Sequence, residues 1–286
     1  MRDRKHKGTK RPDAFAHDRN APPARPKHPA AFSGKPKPAR PKPDEAGFRR
    51  AGADLVTLYG FHAVLEALRN KRRKLLTLYA TEAAAERLKA EIEAAGVSLH
   101  IVDTETLARR LGPGSVHQGI LLEARPLPSP GLDEITARSN IVLVLDQITD
   151  PHNVGAILRS AAAYDVDAVV TTERHAPELS GVLAKAASGA LEHVAVIEVV
   201  NLARTLDELG DLGYLRVGLD SEAPVALQEV VETRPLALVF GAEGKGLRRL
   251  TRERCDHLAR LDLPGAIKSL NVSNACAVAL TLIHKD

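Results

Sequence analysis

The run Ile141-Val142-Leu143-Val144-Leu145 constrains the fold of this 286-residue chain more than any other segment. Alternate side chains of a strand point to opposite sides, so five consecutive apolar residues between polar neighbours suit a strand buried on both faces. Such a strand needs a covering layer above and below it. Helical and strand-like patterns alternate after it: a helix over 153–164, a strand over 168–171, a helix near 179–187, strands over 194–199, 215–219, 236–240 and 258–263, and a closing helix over 271–284. The alternation predicts a parallel α/β sheet covered by helices. Ligands of such sheets gather at the carboxyl ends of the strands.

A smaller α/β unit precedes this one. Val64, Leu65 and Leu68 at helical spacing predict a helix over 59–69, followed by a strand over 75–80 and an Ala- and Glu-rich helix over 82–95 that Gly96 stops. A strand over 97–102, a short helix from Asp103 to Leu111 and a strand over 118–124 complete it. The segment Arg125-Pro126-Leu127-Pro128-Ser129-Pro130-Gly131 then reads as a semi-rigid linker. The expected organisation is an arm over 1–54, a small domain over 55–125, a linker over 126–139 and a large domain over 140–286.

Charge is divided unevenly along the chain. Residues 1–50 hold 15 Lys and Arg against 5 Asp and Glu, a net +10, whereas the remaining residues carry 25 against 31, a net −6. The first 50 residues also hold 9 of the 18 prolines and almost nothing apolar, so this arm is expected to be disordered and to attract a polyanion without reading its sequence. No apolar stretch follows its charges as in a signal peptide, and no window is long and apolar enough to span a bilayer, which points to a cytoplasmic protein away from membranes. The two cysteines, Cys255 and Cys276, have neither zinc-site nor disulfide-framework spacing.

The polar residues that could carry chemistry gather in three loops, each after an expected strand. They are Asp150-Pro151-His152-Asn153-Val154-Gly155, with Arg159 further along the following helix; Gly241-Ala242-Glu243-Gly244-Lys245-Gly246; and Pro264 to Asn274. No G-x-G-x-x-G follows the first buried strand, and the second loop lacks the spacing and the Ser or Thr of a P-loop, which disfavours dinucleotide and NTP enzymes. Taken singly, each loop could be only a turn, Glu243 a solvated carboxylate, Asn271 a helix cap, and Leu261 and Leu270 core residues. Arg248, Arg249, Arg252 and Arg254 could line up as a phosphate-contacting strip or form a plain solvated face, and His117 and Gln118 could touch a nucleic acid or simply be a polar strand entry.

In order and separation, the three loops closely resemble the motifs of the TrmH branch of the SPOUT methyltransferases. The segments concerned are Asp150 to Arg159, Phe240 to Leu247 and Ser269 to Ser273, within a resemblance that covers about residues 140–284. The small domain, with Tyr59-Gly60-Phe61-His62-Ala63-Val64 and His117-Gln118-Gly119-Ile120, is similar to the ribosomal-protein-like RNA-binding domain of family members that methylate a 23S rRNA guanosine. The resemblance implies a catalytic domain with a C-terminal trefoil knot, a homodimer, S-adenosylmethionine as methyl donor without a metal, and 23S rRNA or a ribosomal assembly intermediate as partner. Methylation of tRNA, ribosome modification that confers antibiotic resistance, and a non-catalytic RNA-binding assembly factor are the alternatives.

Transfer to a ribose 2′-hydroxyl requires a site that holds a poor nucleophile close to the methyl, helps remove its proton and steadies the developing oxyanion. The resemblance assigns this work to Asn153, Arg159, Glu243, Ser269 and Asn271, and assigns the cofactor to Gly241, Leu261 and Leu270. Arg159 is expected to orient the nucleotide and stabilise charge rather than act as a base, because a guanidinium hardly deprotonates in proteins.

Overall fold

The computed structural model describes residues 48, 54–112, 114–135, 137–174, 176–177, 181–231 and 235–284. The basic arm expected over 1–54 lies almost wholly outside the described residues, as does the start of the helix expected near 179.

The first part of the chain runs β1 (Val56–Tyr59), α1 (Phe61–Arg69), β2 (Leu75–Ala80), α2 (Glu82–Arg87), α3 (Lys89–Ala95), β3 (Ser98–Ile101), α4 (Thr104–Leu111) and β4 (Ile120–Ala124). Its four-stranded sheet has the order β1-β4-β2-β3, with β4 antiparallel to both neighbours and β3 parallel to β2. Two details depart from the sequence reading. Val56–Tyr59 is a strand, and the helix begins only after Gly60, whose φ of 88° lies in the region that favours glycine. The Ala- and Glu-rich helix is two helices that meet at Leu88, a residue packed into the core at φ −113° and ψ 16°.

The second part runs β5 (Ile141–Asp146), α5 (Pro151–Ala163), β6 (Ala168–Thr172), α6 (Gly181–Ala187), β7 (Ala195–Val199), α7 (Leu202–Asp211), β8 (Leu215–Leu219), β9 (Val225–Ala226), α8 (Leu227–Val230), β10 (Leu236–Gly241), α9 (Arg249–Glu253), β11 (His257–Arg260) and α10 (Val272–Ile283). All pairings in its seven-stranded sheet, ordered β7-β6-β5-β10-β8-β11-β9, are parallel. As the apolar run requires, β5 is buried on both faces. Ile141, Leu143 and Leu145 pack with Ile157, Leu158 and Leu183 of α5 and α6 and with Leu280 of α10, whereas Val142 and Val144 pack with Leu202, Leu206 and Leu209 of α7. Full burial of each such side chain contributes roughly 1.5–3 kcal/mol, so this strand anchors the loops at its carboxyl end. Gly155 lets α5 and α6 approach closely: a Cβ there would lie 2.4 Å from the Ala186 Cβ and 2.8 Å from the Leu183 carbonyl.

The small sheet is docked on the large domain, not merely tethered to it. Arg73, in the turn after α1, and Glu192, in a short 3-10 turn after α6, are ion-paired at 2.7 Å. Glu192 also accepts from Asn70 Nδ2 at 2.7 Å and from Arg73 Nε at 2.9 Å. Two glycines of the large domain are required by the same contact. A Cβ at Gly181 would meet the Thr57 carbonyl and the Tyr59 ring at 2.6 Å, and one at Gly189 would meet Glu66 Cγ at 2.6 Å. The Pro-rich segment between the domains is held as well, through Ser129 Oγ, which accepts from Glu198 N at 3.0 Å, and Arg138, whose backbone N donates to Asp167 at 2.7 Å. Among the described residues no helix is long and apolar enough to cross a membrane.

Candidate active site

The three polar loops meet where β5 and β10 end side by side, with Gly241 in register with Asp146. On the first loop, Asp150 caps α5 by accepting from His152 N at 3.0 Å, and Pro151 occupies the first helical turn, where its missing N–H is not needed. Asn153 is thereby fixed on that first turn. The second loop folds back on itself through Gly246 N donating to the Ala242 carbonyl at 2.8 Å, with Gly244 and Gly246 at φ 74° and 65°. This closure explains Gly241 without any ligand, because a Cβ there would lie 2.2 Å from the Gly246 carbonyl carbon. On the third loop, Asn271 caps α10, its Oδ1 accepting from Ser273 N at 2.9 Å and Ser273 Oγ at 2.6 Å.

These supports bring Asn153, Glu243 and Asn271 into one closed cluster. Glu243 Oε1 accepts from Asn153 Nδ2 at 3.0 Å and from Asn271 Nδ2 at 2.6 Å, and Asn271 Nδ2 also donates to Asn153 Oδ1 at 2.9 Å. Two neutral amides thus hold one carboxylate oxygen in place, and Glu243 Oε2 takes no bond among the described residues. A cleft of about 420 Å³ opens beside the cluster, with Gln147, Thr149, Ala242 and Lys245 among its walls. A carboxylate fixed on one oxygen and free on the other, beside a cleft of this size, can accept a proton from a hydroxyl group or orient it.

The remaining expected site residues are not joined to the cluster by any bond among the described residues. Arg159 is exposed on α5, six residues beyond Asn153 and therefore about 120° around the helix from it. Ser269 is exposed in the loop between β11 and α10. Leu261 is partly buried against the main core, whereas Leu270 is 38% exposed and the nearby Ile267 76% exposed.

Asp146, which the sequence reading did not single out, is fully buried at the end of β5 and accepts from Arg248 N at 2.9 Å and Arg248 Nε at 2.6 Å. It ties the far end of the Glu243 loop to the central strand. The one local signal was a carboxylate directly terminating a five-residue apolar run. Each arginine of the strip has an acidic partner: Arg248 pairs with Asp146, Arg249 with Glu253 at 2.6 Å, Arg252 with Asp220, and Arg254 with Asp207 at 3.3 Å. His117 is buried and accepts from Gly119 N at 3.1 Å, with its pKa pushed down by burial and then by Lys185, while Gln118 caps α1 by accepting from Phe61 N at 2.8 Å. Both residues shape the small domain. No group of three or more His, Cys, Asp or Glu placed to hold a metal occurs among the described residues.

An α/β domain with a parallel sheet whose polar loops converge on an amide-held carboxylate, preceded by a docked small domain, defines the class. The chain belongs to the SpoU rRNA methylase family. The model of that family matches residues 140–281, and the model for the RNA 2′-O ribose methyltransferase substrate-binding domain matches residues 57–130. Among similar proteins, the 23S rRNA (guanosine-2′-O-)-methyltransferase RlmB of Yersinia pestis is 40% identical over 232 residues, covering 78% of this chain and 94% of its own length. RlmB of Bordetella pertussis is 39% identical over 237 residues, covering 80% and 96%. In fold, the chain is similar to the SpoU methyltransferase AviRb of Streptomyces viridochromogenes, solved in complex with AdoMet, with a TM-score of 0.69, 21% identity and coverage of 81% of this chain and 89% of that one. An AdoMet-bound rRNA methyltransferase of Sinorhizobium meliloti superposes with a TM-score of 0.69 at 20% identity, covering 80% and 87%.

Proposed function

We propose that this protein transfers a methyl group from S-adenosylmethionine to the ribose 2′-hydroxyl of a guanosine in 23S rRNA, acting in the cytoplasm on free RNA or on a ribosomal assembly intermediate. The observation that carries the reading is the Asn153–Glu243–Asn271 cluster, formed by residues 90 and 28 positions apart that the fold joins through a single carboxylate oxygen. RlmB relatives at about 40% identity give the guanosine and the ribosomal RNA.

S-adenosylmethionine, when bound, supplies a methyl on a positively charged sulfonium, an electrophile for an oxygen nucleophile. The residues present fit it. Leu270, 38% exposed on the third loop, and the half-buried Leu261 offer apolar surface for an adenine, and Gly241 is assigned to the cofactor with them. Asn153 and Asn271 hold Glu243 so that its free oxygen can take a hydrogen bond from the 2′-hydroxyl, which orients that oxygen and draws on its proton. Ser269 is assigned to the same site from the third loop. Arg159 orients the target nucleotide and stabilises charge.

We further assign the protein a homodimeric state and a trefoil knot in its last segment. The exposed position of Arg159, away from the cluster of its own chain, supports a site completed by a second subunit. The knot is supported by a strand order in which β10 inserts between β5 and β8, and β11 between β8 and β9. Light scattering on the full chain gives twice the monomer mass if the first assignment holds.

A 2′-O-methyl group protects its phosphodiester from alkaline cleavage, which gives a cellular test. Deleting the gene is expected to expose one guanosine of 23S rRNA to cleavage, and the wild-type gene, but not Glu243→Ala, to restore protection. An unchanged 23S pattern with a new cleavage in tRNA would overturn the substrate.

A further inference from the structure

Gln147 stands at φ 59°, immediately after β5, in the left-handed region where a Cβ crowds the following carbonyl and only glycine is at ease. Four other non-glycine residues share that region: Gln118, Asn140, Asp165 and Ser188. Asn and Asp tolerate it through their short polar side chains, Ser188 directly precedes the turn glycine Gly189, and Gln118 has its carboxamide engaged in capping α1. The Gln147 carboxamide makes no hydrogen bond among the described residues, so the fold itself would be better served by glycine at this position. Its backbone is nonetheless held firmly. Asp146 before it is fully buried and clamped to Arg248, and Ile148 after it is buried in the core. The side chain lines the same cleft as Asn153 and Glu243, with Lys245 on the opposite loop.

Strain held at a site of chemistry, with no structural return, points to a ligand. We propose that the Gln147 carboxamide holds the base of the nucleotide whose 2′-hydroxyl is methylated, as a substrate-recognition residue of the site. A carboxamide presents an acceptor and a donor side by side, the complement of the O6 acceptor and N1–H donor on the Watson–Crick edge of guanine. Holding that edge fixes the ribose against Glu243 from its other end. The inference rests on the methyl-transfer reading above.

The test uses the full chain, 23S rRNA lacking the modification, and two variants. Gln147→Gly removes the carboxamide and relieves the backbone, so its thermal midpoint is expected to equal or exceed that of wild type. Gln147→Met keeps length and bulk without the hydrogen bonds. Both are expected to lower kcat/KM for RNA by about tenfold, the worth of a hydrogen bond or two, with S-adenosylmethionine affinity by calorimetry within about twofold of wild type. Wild-type kcat/KM in Gln147→Gly, recovery of activity in Gln147→Met, or a parallel loss of cofactor affinity would each overturn the inference while leaving the function standing. Absence of transfer by the wild-type protein would instead overturn the underlying reading, and the inference with it.

Discussion

Arg73 and Glu192 are ion-paired at 2.7 Å with 3% of either side chain exposed, across the junction between the small sheet and the large one. Neither charge could be buried alone. The pair therefore exists only while the two domains are docked, and it sets the substrate-binding domain at a fixed position relative to the catalytic loops. Removing one partner of a buried pair costs roughly 3–5 kcal/mol, whereas replacing both with apolar groups is often neutral. Glu192→Ala is thus expected to lower unfolding free energy by that amount in urea titration, and Arg73→Met with Glu192→Leu to recover most of it. A single variant within about 1 kcal/mol of wild type, the level of an exposed pair, would mean that the domains are not docked in solution.

Asn271 performs two tasks that a substitution can separate. Asn271→Asp keeps the cap of α10, since a carboxylate caps a helix as well as an amide, but sets a second negative charge where Nδ2 now lies 2.6 Å from Glu243 Oε1. Stability within about 1 kcal/mol of wild type and a loss of methyl transfer of at least about tenfold are expected, measured on the same preparation. Unimpaired transfer would remove Asn271 from the catalytic machinery.

The cations around the second loop differ in what they are free to do. Lys245 has no acidic partner among the described residues and faces the cleft, so Lys245→Gln is expected to reduce the slope of log affinity for RNA against log salt by about one. Arg248 is committed to the fully buried Asp146, so Arg248→Gln is expected to act mainly through stability, visible as a lowered thermal midpoint. Filter-binding titrations between low and moderate salt check the first expectation, and an unchanged slope would contradict it.

Burial pushes the thiols of Cys255 and Cys276 up to about 12. Unfolded thiols titrate near 8.5, so between that value and the folded one the native protein retains protons that the unfolded chain has released. Stability conferred by the neutral thiols is complete below the unfolded pKa and is lost as pH rises through this alkaline window. The thermal midpoint should therefore fall with pH above about 9, less steeply in Cys276→Ala than in wild type. At pH 8, iodoacetamide should modify neither cysteine until urea is added. Rapid labelling of the native protein would contradict this account of their burial.

Much of the fold was legible because it is local. The β5 run announced a strand buried on both faces, and the polar residues of the three loops stood after strands, where a parallel sheet places its ligands. The strand Val56–Tyr59 carried no signal of its own, its last residue being read into the following helix, because four residues are too few to show an alternation. The long-range electrostatics left no local trace. Arg73 and Glu192 are 119 positions apart, and Asp146 and Arg248 are 102 apart. The arginines after the second loop read as an open basic strip because the sequence gives the sign of each charge and not its partner. Asn153, Glu243 and Asn271 could each pass for a cap or a solvated loop residue, and the motif resemblance alone put them together before their hydrogen bonds did.

Methyl transfer from labelled S-adenosylmethionine to 23S rRNA and to bulk tRNA, both taken from cells lacking this protein, tests the central claim most directly, with the modified nucleoside identified by mass spectrometry. The account predicts 2′-O-methylguanosine in 23S rRNA with wild-type protein and its disappearance with Glu243→Ala. Label in tRNA alone, or on a base instead of a ribose, would contradict it.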